Sequence, residues 1–342
     1  MSTFRVLRAM SVALLAAACA GSPTPGSTSV PASIASSEPG PITLAGCHPP
    51  RNPAAAPVGK AIAATIDLGC EAGAVAVAGD SVWVVPHLDR VALRIDPVDN
   101  TVIAATPLGD RGPGAEIAAN EAMIWASVSS LSYDLERLVR IDPINGEIIA
   151  SVDAKAGFPV IGAGFVWASG PAGTFRIDPA TNKVAGIVKT GDCWIVVLGE
   201  RVFCIGDALA LEIDPTTDTT TPLAGAPSGL PVEAVDGLIW GVNGRLLWAF
   251  DPQAGEVRAE LPPPEGAATW SPDAVVLDGA LWATATTLEG APNRLVRVNQ
   301  QTLAIDCVLE TPTSEFGIGA GFGAVWLPVQ RQPWLARIEP AC

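Results

Sequence analysis

The chain is poor in the residues that most site chemistry uses. Of its 342 residues, two are histidine, three methionine and one tyrosine, and charged residues make up only 16%. There is no CxxC pair, no HExxH, no GxSxG and no Gly-rich phosphate loop, so the common zinc, serine-hydrolase and nucleotide signatures are absent. Lysine is scarce and the formal net charge is −15. Removing a leader that contains Arg5 and Arg8 leaves 18 basic against 35 acidic residues, about −17. Such a surface repels phosphate backbones and anionic headgroups, so nucleic-acid binding is disfavoured. No apolar run beyond the leader is long enough to span a bilayer.

What is present is a repeat. The stretch from Gly162 to Asn182 holds an apolar strand with Val166 and Trp167, a Gly/Pro break, a second strand ending at Ile177, and an Asp178-Pro179 turn closed by Asn182. The aromatic position recurs at Trp83, Trp125, Trp167, Phe203, Trp240, Trp282 and Trp326, in steps of 42, 42, 36, 37, 42 and 44 residues. The turn position recurs at Asp96, Asp142, Asp178, Asp214, Asp251, Asn299 and Glu339, all but Asn299 followed by Pro. Several short strands per period of this size predict an all-β, seven-bladed β-propeller of four-stranded antiparallel blades over residues 60–342. The segment 61–68 reads as an outer strand without a blade in front of it, and the seventh repeat stops where its outer strand should begin. An N-terminal strand completing the last blade would close the ring and remove its open edges. The Asp-Pro positions are explained by turn chemistry, and the repeated Trp by packing between blades.

Residues 1–18 read as a signal peptide: two Arg, then a short apolar run from Met10 to Ala18. Small residues before Cys19 resemble a bacterial lipobox, which implies a lipidated Cys19 and a membrane contact only through that anchor. Residues 19–59 then read as a lipid-anchored flexible linker, since Gly21–Gly40 is Ser, Pro, Thr and Gly with almost no charge. Six further cysteines remain, an even number that points to disulfides in an exported protein, with 15 connectivities open. Cys193 and Cys204 flank one hairpin and are expected to pair. A bridge from Cys342 to the N-terminal arm near Cys47 would lock the ring, but the partners of Cys47, Cys70, Cys307 and Cys342 stay open. With no CxxC and only His48 and His87, the cysteines carry little signal for a metal site.

Two blades carry insertions between their second and third strands, Ser127–Arg137 with Tyr133 and Thr284–Arg294. Such connections share one face, where binding usually resides. His87, Asp89, Tyr133, Asn293 and Arg294 are therefore the candidate ligand-contact residues. Acids recur near the inner strands at Glu71, Glu116, Asp192, Glu233, Asp273 and Glu315. Their offsets from the aromatic position are 12, 9, 11, 7, 9 and 11 residues, so they are not all expected to point inward at one level. No catalytic, cofactor-binding or metal residue is assigned; calcium or magnesium is the cation these acids would hold as oxygen ligands.

The segments Asp80–Val84 with Arg94–Asp99, Gly164–Ala168 with Arg176–Asn182, and Leu238–Gly241 with Phe250–Gly255 resemble the repeats of bacterial YncE-type and streptogramin-lyase-like β-propellers. The resemblance covers about residues 60–342. Streptogramin lyases use a magnesium-dependent His/Glu/His site, and this chain has no His after His87. The reading is an extracytoplasmic, lipid-anchored monomer that binds an unknown protein or small molecule. The alternative is a divalent-cation-dependent lyase or lactonase of the streptogramin-lyase or gluconolactonase-like class.

Overall fold

A computed structural model describes residues 47–109, 114–129, 134–288, 292–314 and 317–342. The leader, Cys19, Tyr133 and Glu315 lie outside the described residues. Twenty-eight strands form seven antiparallel sheets of four, and no helix occurs among the described residues. Six sheets use four consecutive strands. The seventh joins Gly319–Gly321, Ala324–Pro328 and Trp334–Ile338 to the N-terminal strand Ile62–Asp67. The ring is thus closed by pairing between the two ends of the chain, and Trp334–Ile338 is not left as an open edge. The molecule is a seven-bladed β-propeller.

Blade 1 shows the pattern: inner strand Ala74–Ala78, second strand Ser81–Val85, third strand Val91–Asp96 and outer strand Thr101–Pro107. Burial falls outward. The second strand is buried at every position, whereas the outer strand is half-buried or exposed throughout. Trp83, Trp125, Trp167, Trp240 and Trp326 are 0% exposed. Each Trp packs against the next blade. Trp83 shares a cluster with Ile124, Ala126 and Val139 of blade 2, for example.

The turns between third and outer strands follow from their residues. Asp142 Oδ1 accepts from the Ile144 N–H at 2.7 Å, and Asp178 Oδ1 accepts from the Ala180 N–H at 2.8 Å. Pro presets the second position, and a residue at positive φ closes the turn: Asn182 at 55°, Gly146 at 75°.

These turns also join the blades. Directly opposite the Trp on the third strand stands an Arg: Trp125 faces Arg140, and Trp326 faces Arg337. Arg140 donates to the Pro179 carbonyl and to Asn182 in the turn of blade 3. Arg94 reaches the Ile144 carbonyl of blade 2, Arg176 reaches the Pro215 carbonyl of blade 4, and Arg337 reaches the Pro97 carbonyl of blade 1. Blade 4 has Glu212 at the Arg position, opposite Phe203. There Arg201 pairs with Glu212 and donates to the Pro252 carbonyl of blade 5. Blade 5 has Ala249 opposite Trp240, and the Trp240 indole itself donates to Gln300 of blade 6.

Three disulfides are present among the described residues. Cys193–Cys204 crosses its hairpin, Cys47–Cys70 fastens the N-terminal arm, and Cys307–Cys342 staples blade 6 to the end of blade 7. Cys342 therefore does not reach the N-terminal arm. Its partner lies on the neighbouring blade, because the chain leaves its last strand beside the outer strand Ala304–Thr311. Within the segment read as a tether, residues 47–59 are held to the ring. Besides the disulfide, Ala54 bonds Gln332 and Trp334, and the Pro57 carbonyl accepts from Thr65.

Candidate functional site

The inner strands surround a channel of about 450 Å³. Its wall is Val, Ala, Ile, Pro and Gly from all seven blades, with Glu233 the ionisable residue among them. The small residues are required by the approach of neighbouring strands. A Cβ on Gly321 would meet Val77 at 2.8 Å, and one on Gly162 would meet Val197 at 2.6 Å.

Three of the inner strands carry an acid. Glu116, Glu233 and Asp273 all sit on inner strands and are half-buried. Each lies at a break in strand register: between Gly114 and Ile117, between Pro231 and Glu233, and between Trp270 and Ala274. An extra residue in one strand re-aims the side chains beside it. In blades 2 and 6 a buried hydroxyl on the second strand props the irregular segment. Ser127 Oγ accepts from the Glu116 N–H at 2.9 Å, and Thr284 Oγ1 donates to the Asp273 carbonyl at 3.5 Å. Asp273 Oδ1 in turn accepts from the Gly317 N–H at 2.8 Å.

The electrostatics follow from this placement. Burial pushes Glu116 up to about 8, and the charge of Asp273 adds to the rise. Blades 2 and 6 are not neighbours, so the two acids sense each other across the channel. Burial also pushes Glu233 up to about 7, opposed by the Ala234 N–H that donates to its carboxylate. The remaining acids do not join this group. Asp192 is exposed on its loop and Glu71 is half-buried ahead of its inner strand.

The offsets exclude one level for all of these acids, and Asp192 and Glu71 stand apart accordingly. Glu116 and Asp273 share an offset, each nine residues before its blade's Trp. Each is matched by a hydroxyl two residues after that Trp, Ser127 and Thr284. That pairing was the available signal, while Glu233, seven residues before Trp240 and directly opposite it, takes the position that Ala76 and Ala118 hold in blades 1 and 2.

The predicted contact residues are distributed differently. His87 is exposed, beside Leu88, which is 47% exposed. Asp89 is 3% exposed, and its carboxylate accepts from His48 through both the backbone N–H and Nδ1. Asn293 is also 3% exposed, with its side-chain oxygen accepting from the Thr287 N–H. Arg294 pairs with Glu310 at 3.3 Å and donates to the Pro292 carbonyl. Asp89, Asn293 and Arg294 thus hold their loops together. His87 and Leu88 are the ones that face solvent.

No protein-family model matches the sequence, and no curated protein matches it. Comparison with solved structures returns the propeller fold many times over, with 834 matching chains. One is a chain from the crystal structure of mitotic checkpoint complex. It superposes with a TM-score of 0.64 at 9% sequence identity, over 84% of this chain and 97% of its own. At that identity the likeness is one of fold.

Proposed function

We propose that this chain is an extracytoplasmic propeller, held at the membrane by a lipid on Cys19, that binds a protein or small molecule on its loop-bearing face. One observation carries the reading: a closed seven-bladed ring whose channel wall is almost wholly small and apolar, in a sequence with two long insertions between second and third strands. Propellers are often protein-binding scaffolds, and one neighbour of known structure comes from a protein complex. Three disulfides fit an oxidising compartment. The acidic balance favours a partner with a basic or neutral surface over nucleic acid.

A second reading rests on Glu116, Glu233 and Asp273. Carboxylates are hard oxygen donors suited to calcium or magnesium, as a cation-dependent lyase or lactonase would need, and Glu116 and Asp273 are close enough to sense each other's charge.

Thermal unfolding of the oxidised chain separates the two. Binding to the folded state alone raises the midpoint by mass action. The scaffold reading expects no saturable shift with calcium, magnesium or a chelator, and retention of a partner by the loop face in a pull-down. A saturable shift that Glu116→Gln abolishes would replace it with the second reading.

A further inference from the structure

The N-terminal arm creates a cluster that neither reading uses. Cys47, Cys70 and Asp89 come from three separate stretches, and all three are buried. Two sulfur atoms and a carboxylate oxygen lie within 4.8 Å of one another. Both oxygens of Asp89 are engaged by His48, the backbone N–H at 3.1 Å and Nδ1 at 2.5 Å. The His48 side chain is itself 68% exposed.

A latch of His48 on Asp89 would explain the ion pair but not its position. A disulfide carries no charge, so it offers a buried carboxylate nothing to pair with. Thiolates would. Two cysteine sulfurs, one carboxylate oxygen, and an imidazole bonded to that carboxylate make the donor set and outer shell of a zinc site. We propose that reduction of Cys47–Cys70 turns this cluster into a site for Zn²⁺ or a similar borderline divalent ion. The ligands are Sγ of Cys47, Sγ of Cys70 and one oxygen of Asp89. His48 orients the carboxylate through the other oxygen, and the fourth position is open to water.

The chemistry balances with a dithiol as reductant. The dithiol gives two electrons and two protons to the disulfide and leaves as its own cyclic disulfide. The metal ion then displaces both thiol protons to solvent. Disulfide and metal are exclusive states of one pair of sulfurs, and each fastens the arm to blade 1.

The test uses the full chain, reduced with a dithiol that is then removed without air, and Co²⁺ as the probe. The expected result is a thiolate-to-cobalt charge-transfer absorption that saturates at one equivalent and is displaced by Zn²⁺, with the sheet circular dichroism of the oxidised chain retained. The double variant Cys47→Ser/Cys70→Ser loses this absorption. Asp89→Asn, with its circular dichroism unchanged, binds about tenfold more weakly or worse. Absorption that survives in the double variant would come from other thiols and overturns the proposal. So does a reduced, folded chain without the band, or a reduced chain that loses its sheet spectrum in the presence of metal. Unchanged affinity in Asp89→Asn removes the carboxylate from the site and overturns it as stated.

Discussion

Arg337, on the last full strand of the chain, donates to the carbonyl of Pro97 in the first blade at 2.5 Å. Its second contact there is Asn100 Oδ1 at 3.3 Å. The guanidinium lies over the Trp326 ring, 5.4 Å from its centroid, and pairs with Glu339 as well. A residue so engaged fixes the seam where the ring closes. Arg337→Met keeps much of the stem but leaves the turn carbonyl without its donor. The expected loss is about 2–3 kcal/mol in urea unfolding. Arg258→Met is the control. That side chain is half exposed and pairs only with Asp251, so its loss is expected to be about 0–1 kcal/mol. Equal losses for the two would sink the clamp.

Asn182 has two duties that substitution can separate. It holds φ at 55° and accepts from Arg140 at 2.8 Å. Asn182→Gly keeps the backbone freedom and removes the acceptor, for an expected loss of about 1–2 kcal/mol. Asn182→Ala also places a Cβ in the left-handed region, adding about 1 kcal/mol more. Denaturant midpoints of the two variants measure the difference, and an alanine variant as stable as the glycine one would show that the turn relaxes.

Cys307–Cys342 spans 35 residues and joins blade 6 to the chain end. The chain-entropy relation gives about 3–4 kcal/mol for a loop of this length. Cys307→Ser/Cys342→Ser is therefore expected to lower the unfolding free energy by that order. Hydrogen exchange would rise first at Trp334–Ile338 and Ala304–Thr311, the strands nearest the staple. Uniform loss of protection around the ring would contradict a local role.

The channel acids predict a pH dependence of definite sign. Glu116 is raised from 4.5 to about 8 and Glu233 from 4.5 to about 7. The folded state therefore binds protons more tightly than the unfolded chain between those values. Stability from these groups is full below about pH 4.5 and is lost as pH rises through 7 and 8. Water that reaches the channel reduces the effect, leaving on the order of 2 kcal/mol for Glu116. Glu116→Gln should flatten the fall in melting temperature between pH 5 and 8.5 (about the titration range). A variant whose pH profile follows the parent would place the titration elsewhere.

The fold was legible because every blade repeats the same local decisions. Trp83 and Trp167 mark the second strand, Asp96 and Asp178 mark the outward turn, and strand Ile62–Asp67 reads as a piece missing from its own repeat. Each is short-range chemistry. The acids of the inner strands were less legible, because Glu116 and Asp273 lie in register breaks ahead of the regular pairing, whereas Glu233 stands opposite Trp240 where blade 1 has Ala76 opposite Trp83. The Cys47, Cys70 and Asp89 cluster was not legible at all. Its members are joined by the path of the arm over blade 1, and no spacing rule connects them. Asp89 and Asn293 look like loop-tip residues in sequence, yet both are turned inward by hydrogen bonds to residues outside their own turn.

Cys47–Cys70 brackets the closing strand Ile62–Asp67 in the chain. Any pull on the N-terminal segment would otherwise arrive at Ile62 and peel that strand from Trp334–Ile338 one hydrogen bond at a time. The disulfide delivers the load to Cys70 instead, beyond the strand, where the chain enters the buried inner strand of blade 1. The closing strand is left slack inside a covalent loop. The ring can thus be suspended from its own N-terminus without the suspension point becoming its unzipping point.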